Sequence, residues 1–403
     1  MSDPGHLTPE RSRRAALMLA AAGSLGGSVG PIAIGMGGLV GLSLLPAGEA
    51  GWATLPVTAF VVGSALASVP AALLMQRVGR RAGFVTGLLI GATGAAGAAA
   101  AVLMQSFALL LASFVAIGLS GAFVQQYRFA AADAAEPAFK ARAISWVMAA
   151  GVISGIVGPQ VSINGGAVLP SSPFAGTFIL LVGLLLIAAV VMTRLDVPRP
   201  ARSADGGSGR PLIEIIRQPA FLVALLSAVA SFSLMSLVMT ASPLAMVHHH
   251  HSTADSQIAI QWHVIAMFLP SFVTGNLIGR FGKGRVVIAG FVLIAAAAGV
   301  GLSGTGFVHF LVALVLLGVG WNFGFIGATA MLASLYRPEE SFKVQAANEV
   351  ILFGIVAIAS FSSGGILAGA GWSAINLVVL PVVALCIGLI GWRGLVARRA
   401  AQP

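Results

Sequence analysis

The sequence has few charged residues and almost no cysteine. Only 8% of its 403 residues are Asp, Glu, Lys or Arg, whereas a soluble domain carries about 25%. Its one cysteine, Cys386, excludes disulfides and cysteine-based zinc sites within the monomer. The polar segment 1–14 is followed by no obvious A-x-A cleavage site. The first apolar stretch is therefore expected to remain as a transmembrane helix. The low fraction of charged residues excludes an ordinary soluble fold.

Long apolar segments make up most of the chain. Hydrophobic residues account for 58% of it, and the mean hydropathy is +0.98. About 20 predominantly apolar residues suffice to cross a bilayer, and this length recurs along the sequence. The pattern predicts an all-α, polytopic membrane protein with twelve transmembrane helices, at residues 15–42, 51–76, 83–103, 106–132, 141–167, 174–194, 219–247, 257–280, 286–303, 307–334, 343–369 and 371–392.

Basic residues occur at only one side of the predicted helices. The net charge of +10 would suggest a nucleic-acid partner in a soluble protein, but here it reflects membrane topology, and no nucleic-acid partner is expected. The odd-numbered breaks between helices contain no Lys or Arg, and both termini are basic. The pattern predicts a bacterial inner-membrane protein with cytoplasmic N- and C-termini. The even-numbered breaks contain Arg77, Arg80, Arg81, Lys140, Arg142, Arg194, Arg199, Arg202, Arg210, Arg217, Arg280, Lys283, Arg285, Arg337 and Lys343.

The second half of the chain repeats features of the first at an offset of 203 residues. The segment 74–80 aligns with 277–283, and 136–140 aligns with 339–343. Such repeats predict two pseudo-symmetric six-helix bundles with a cavity between them. The polar segment between the halves, rich in Gly, Pro, Ser and Arg, predicts a flexible linker. The expected organisation is a bundle at 1–194, a cytoplasmic linker at 195–218 and a second bundle at 219–403.

The loops after helices 2 and 8 resemble the G-x-L-a-D-R-x-G-R-[RK] loop of the major facilitator superfamily. Ala72 replaces the usual first Gly, and Gln76 and Gly279 replace the usual acid. The run Gly151-x3-Gly155-x2-Gly158-Pro159 in helix 5 is similar to a Gly-Pro motif of antiporter members. Small residues at these spacings also allow any two membrane helices to pack closely. The resemblance implies the major facilitator fold and a transporter rather than an enzyme.

Polar residues inside the membrane are the first candidates for function. Arg128 and Asp133 lie at the cytoplasmic end of helix 4, where they form a gating or snorkelling pair or contact substrate. Glu349 lies about 9 Å into helix 11 and is expected either to gate or couple transport or to pair with a loop cation.

Methionine and histidine pairs on two consecutive helices suggest a metal path. Met235 and Met239 share one face of helix 7, and His263 and Met267 share one face of helix 8. Their depths are similar, about 18 and 12 Å for the first pair and about 9 and 15 Å for the second. Thioether and imidazole ligands select copper, particularly Cu(I). The alternative is that the methionines are packing residues of the core.

Further soft donors extend this hypothetical path. The repeat places Met36 opposite Met239, and Met246 follows the pair on helix 7. The periplasmic loop after helix 7 reads His248, His249, His250, His251. Neutral imidazoles at a periplasmic mouth can capture a metal ion, although a polar loop can also simply tolerate histidine.

The two motifs together resemble the CcoA-type copper importers, which serve assembly of the cbb3-type cytochrome oxidase. The resemblance implies metal binding by Met235, Met239, His263 and Met267. It also implies a periplasmic copper donor and a cytoplasmic acceptor. Copper would be the cargo, with no cofactor, and the transporter would be a monomer in the lipid bilayer. The alternative function is proton-coupled export of small organic molecules, suggested by Gly158 and Pro159.

Overall fold

The computed structural model describes residues 8–135, 137–197, 209–337 and 340–400. These residues form helices and connecting turns, with no β-strand among them. A short 3₁₀ helix at Ala50–Trp52 precedes α3. The helices are α1 (Pro9–Gly26), α2 (Val29–Leu44), α3 (Leu55–Val78), α4 (Arg80–Leu103), α5 (Phe107–Gln125), α6 (Tyr127–Ala134), α7 (Pro137–Val168), α8 (Pro173–Met192), α9 (Leu212–Ile216), α10 (Pro219–His248), α11 (Thr253–Phe268), α12 (Ser271–Phe281), α13 (Lys283–Ser303), α14 (Phe307–Ala333) and α15 (Ser341–Ala400).

The helices account for the twelve predicted membrane crossings. Ten helical segments in the described residues are long and apolar enough to cross a bilayer, and the bent pair α11–α12 makes one more. The last of the ten, Lys343–Leu395, has 53 residues. That is more than twice the length of one crossing. A break in α15 at Gly371, where φ is 77°, divides this segment into two crossings. The all-α polytopic fold is therefore confirmed.

Three crossings among the described residues contain breaks that the apolar pattern does not predict; the break in the fourth lies at Gln126, between α5 and α6. The first begins at Pro9 rather than 15, and it changes helix at Gly27 and Ser28. The eighth bends by 43° between α11 and α12. Pro270 lies at the break in the eighth crossing, and proline lacks the amide that would continue the helical hydrogen bonds. A count of apolar residues misses the breaks in the first and eighth crossings because the side chains around them remain apolar.

The internal repeat is confirmed in the backbone at one of its two sites. Gly79 separates α3 from α4 with φ 89° and ψ 160°, and Gly282 separates α12 from α13 with φ 85° and ψ 152°. Glycine populates positive φ without a steric penalty, so the same sharp turn occurs at equivalent loops. The other pair, at Glu136 and Glu339, lies outside the described residues.

Each half of the chain has its own apolar core. One large buried cluster lies within residues 15–195, and another lies within 223–390. Two smaller clusters join the halves. One contains Val61 of α3 together with residues of α10, α14 and α15, and the other combines Leu39, Ala53 and Leu244. Two separate cores with limited shared contacts suit two bundles that move against each other.

An ion pair attaches the segment before α9 to the second half. The Arg210 guanidinium donates to both carboxylate oxygens of Glu340, at 2.9 and 2.8 Å, and Lys343 Nζ donates to the Arg210 carbonyl at 2.6 Å. The hydrogen bonds from Arg210 hold the pKa of the buried Glu340 carboxyl well below its usual range. The end of the linker is therefore tied to the loop between α14 and α15.

Candidate substrate site

Glycines bring helix α7 of the first half against helix α11 of the second. A Cβ at Gly151 would lie 2.9 Å from the ring of Phe268, and one at Gly155 would lie 2.7 Å from Val264. Gly158 approaches α2 in the same way. The Gly-Pro run of helix 5 therefore serves close helix packing, and it forms part of the contact between the halves.

The halves are joined towards one face of the bundle. We call this the His-loop face, because it carries the loop His248–His251 between α10 and α11; the opposite terminal face carries the start of α1. Gln160 of α7 donates to Gln261 of α11 at 2.9 Å, and Gln257 of α11 donates to the Gly35 carbonyl of α2 at 2.9 Å. The cluster of Leu39, Ala53 and Leu244 lies at the same end. These contacts close the His-loop face.

Charged side chains lie towards the terminal face. Arg128 is not the ion-pair partner of Asp133, which accepts from Arg80 of α4 at 2.5 Å. The two side chains are five residues apart, so they project from different sides of α6. Arg128 is exposed and lies over the Phe129 ring at 4.8 Å. Its charge attracts that of Glu349 on α15 of the other half. Gating or coupling by Arg128, Asp133 and Glu349 stays a prediction.

The four predicted copper ligands lie in the core of the second half. Met235, Met239 and Met267 are buried in one apolar cluster, and His263 is fully buried. His263 Nδ1 lies 2.6 Å from the Leu314 carbonyl of α14, while Nε2 has no hydrogen-bond partner among the described residues.

The part of α11 that carries His263 packs directly against α14. A Cβ at Gly318 would lie 2.6 Å from the His263 carbonyl, so the backbones of α11 and α14 touch there. Helix α10 packs mainly on α14 and α15, and much less on α11. Binding of one metal ion by Met235, Met239, His263 and Met267 stays a prediction.

The accessory donors are dispersed. Met36 is buried in the core of the first half and Met246 in that of the second, so they belong to separate clusters. In the histidine run, His248 packs edge-on against His249, and His251 Nε2 lies 2.8 Å from the Thr305 carbonyl. Within the part of the chain that the structure describes, no three His, Cys, Asp or Glu side chains converge on a metal-sized site. Consecutive residues at the end of a helix point in different directions, which explains why the four histidine side chains do not converge.

Five aromatic side chains of the second half meet near the middle of the membrane. The near-parallel rings of Trp321 and Phe325 have centroids 5.2 Å apart, with 12° between their planes. Phe232 packs almost at right angles to both, and Trp321 Nε1 is buried with no partner among the described residues. We call this group the aromatic cluster: Phe232 of α10, Phe268 of α11, Trp321 and Phe325 of α14, and Phe353 of α15.

The sequence-based search for polar and metal-binding residues missed this cluster. Trp321 and Phe325 are four residues apart and therefore share one face of α14. That spacing, together with phenylalanines in the middle of α10 and in the part of α15 before Gly371, is the signal that could have found it.

Asn322, next to Trp321, has a structural role. Its Nδ2 donates to the Met267 carbonyl at 2.6 Å and to Ser271 Oγ at 2.7 Å, and its Oδ1 accepts from Thr274 Oγ1 at 2.6 Å. These bonds span the break between α11 and α12. Asn322 therefore holds together a broken helix whose backbone groups lack helical partners.

Comparison with known proteins identifies the family. The family model described as Major Facilitator Superfamily matches residues 44–269 and 224–402. The chain belongs to the major facilitator superfamily. It is a transporter of this superfamily rather than an enzyme, as the loop motifs predict.

Relatives match over most of their lengths. The riboflavin transporter RfnT of Brucella anthropi is 46% identical over 378 residues, which are 93% of this chain and 94% of that protein. The uncharacterized transporter YddS of Bacillus subtilis is 31% identical over 84% of this chain and 82% of its own length.

A solved structure supports the same fold. An auto-inhibited peptide transporter of the POT family superposes with a TM-score of 0.69, covering 96% of this chain and 97% of that one. At 14% identity this similarity concerns the major facilitator fold alone.

Proposed function

We propose that this chain transports riboflavin across the membrane by alternating access. The observation that carries the proposal is the 46% identity to a riboflavin transporter over nearly the whole of both chains. Riboflavin is a small organic molecule, so this proposal develops the alternative function rather than copper import. Closure of the halves at the His-loop face suits one state of an alternating-access cycle.

The proposal predicts that the chain restores riboflavin exchange in a strain that lacks it. A riboflavin auxotroph without its own uptake system should grow at limiting riboflavin when it expresses this chain, and labelled riboflavin should accumulate in the cells. If the chain works in the outward direction, preloaded cells should release riboflavin faster than cells with an empty vector. Absence of both effects, with the protein present in the membrane, would overturn the proposal.

Copper import is the second candidate function. One observation favours it: the buried His263 has one nitrogen hydrogen-bonded to a carbonyl and the other unpartnered, which is how metal-binding imidazoles are commonly held. Under this hypothesis, Met239→Leu or His263→Leu abolishes copper accumulation without lowering protein abundance. If cellular copper content is the same with and without the gene, copper import is eliminated. Copper that falls in its absence while riboflavin exchange stays unchanged reverses the order of the two candidates.

We further propose that the protein lies in the bacterial inner membrane with both termini in the cytoplasm, as bundles 1–194 and 219–403 joined by the linker 195–218. The support is the confinement of Lys and Arg to one side of the helices. Reporter fusions at Ser208 and at His250 should then report opposite sides of the membrane, with Ser208 cytoplasmic. The same side for both fusions contradicts this topology.

A further inference from the structure

We infer that the aromatic cluster is the site where the flat ring system of the substrate stacks, an inference that rests on the riboflavin proposal. Its position in the membrane is the first argument. Phe232 lies near the middle of the 30-residue α10, and Trp321 lies near the middle of the 27-residue α14. Phe268 ends α11 at the break in the eighth crossing. Transporters built from repeats bind substrate near the midplane, often beside such broken helices.

The cluster also lies at the interface between the halves. Phe268 packs against Gly151 of α7 in the first half. Phe232 and Phe353 border the buried cluster that contains Val61 of α3. A ligand held here is in contact with both halves, as alternating access requires.

The cluster contains a buried hydrogen-bond donor without a partner among the described residues. Trp321 is 7% exposed, and its Nε1 has no partner in the described part of the chain. A buried indole N–H usually finds an acceptor, because leaving it unpaired in an apolar setting is costly. Packing alone would not require a tryptophan here, since phenylalanine fills such a space without an N–H. The donor therefore indicates a ligand that brings its own acceptor.

Riboflavin has the chemistry that this site can recognise. Its isoalloxazine ring is flat, offers two faces for stacking, and carries carbonyl oxygens at one edge. Trp321 and Phe325 stack on each other, so an outer face of this pair can receive one face of the flavin ring, and Trp321 Nε1 can donate to a ring carbonyl. The four phenylalanines are only half-buried, so part of their surface remains available for contact.

The experiment is a titration of the purified full-length protein with riboflavin and with lumiflavin, the same ring with a methyl group instead of the ribityl chain. Equilibrium dialysis, with the free flavin quantified by its absorbance, measures binding without using Trp321 as the reporter. Trp321→Leu should raise both dissociation constants about tenfold or more, because the stacking surface and the N–H are both lost. Trp321→Phe should raise them only about threefold, since it retains an aromatic ring.

The matched control is Trp392→Phe, which removes an indole that is 57% exposed near the end of α15. This variant should bind both flavins as the wild type does. Thermal unfolding of each variant establishes that it is folded, and Trp321→Phe provides the test if Trp321→Leu is not. If the wild type binds flavin and neither Trp321 substitution changes the dissociation constants, the stacking site is overturned and the riboflavin proposal stands. A wild-type protein that binds neither flavin overturns both.

Discussion

Gly318→Ala is expected to destabilise the second half of the protein and to abolish transport. A Cβ at this position would lie 2.6 Å from the His263 carbonyl and 3.1 Å from the Met267 amide, both backbone atoms of α11. Backbone atoms cannot rotate away, so α11 must shift as a whole. Overpacking of this kind costs about 1–3 kcal/mol. The shift would also separate His263 from the Leu314 carbonyl and move Phe268 away from Trp321. Thermal unfolding of the purified protein measures the loss.

Gly299→Ala is the matched control. Gly299 lies on α13 in the same half, and no described residue outside its own turn of helix lies within 4 Å of where its Cβ would be. Alanine is favoured over glycine in a helix by up to about 1 kcal/mol, so this variant should unfold at the same temperature as the wild type or slightly higher. Equal midpoints for the two variants would show that the contact between α11 and α14 can relax at little cost.

Most of the fold could be predicted because the bilayer imposes it. A chain in lipid must satisfy its backbone hydrogen bonds within each segment, so long apolar runs become helices. The aligned segments 74–80 and 277–283 predicted equivalent loops, and Gly79 and Gly282 adopt nearly the same backbone angles. The break at Pro270 was missed because apolar counts do not register the loss of an amide.

The arrangement of the site was harder to predict than the helices. The prediction of a metal path assumed that consecutive helices lie side by side and face each other. In the structure His263 contacts α14, a helix about 50 residues further along the chain. Small residues such as Gly318 decide which helices can touch. The sequence does not show this, because it does not say which helix lies opposite the glycine. The aromatic cluster combines four helices in the same way, so it becomes evident only in three dimensions.

Asn322→Ala is expected to loosen the break in the eighth crossing and to weaken substrate transport. The change removes the bonds to the Met267 carbonyl and to Ser271, and it removes the acceptor of Thr274. The Thr274 hydroxyl can donate instead to the Pro270 carbonyl, which lies 2.8 Å away, whereas the Met267 carbonyl loses the donor that spans the break. Leaving a buried polar group without its partner costs about 1–3 kcal/mol. Because Phe268 lies at the break, the half-saturation concentration for riboflavin should rise together with the loss of thermal stability.

The control for this effect is Asn376→Ala, which removes another buried asparagine from the same half. Asn376 Nδ2 donates at 3.0 Å to the Trp372 carbonyl of its own helix, one turn earlier, so this hydrogen bond joins no separate segments. Its removal should cost less than about 1 kcal/mol, the net value of a typical intramolecular hydrogen bond, and should leave the half-saturation concentration unchanged. If both variants lose equal stability and transport riboflavin equally well, Asn322 does not hold the break in place. The bend would then depend on Pro270, whose missing amide interrupts the helix whatever α14 provides.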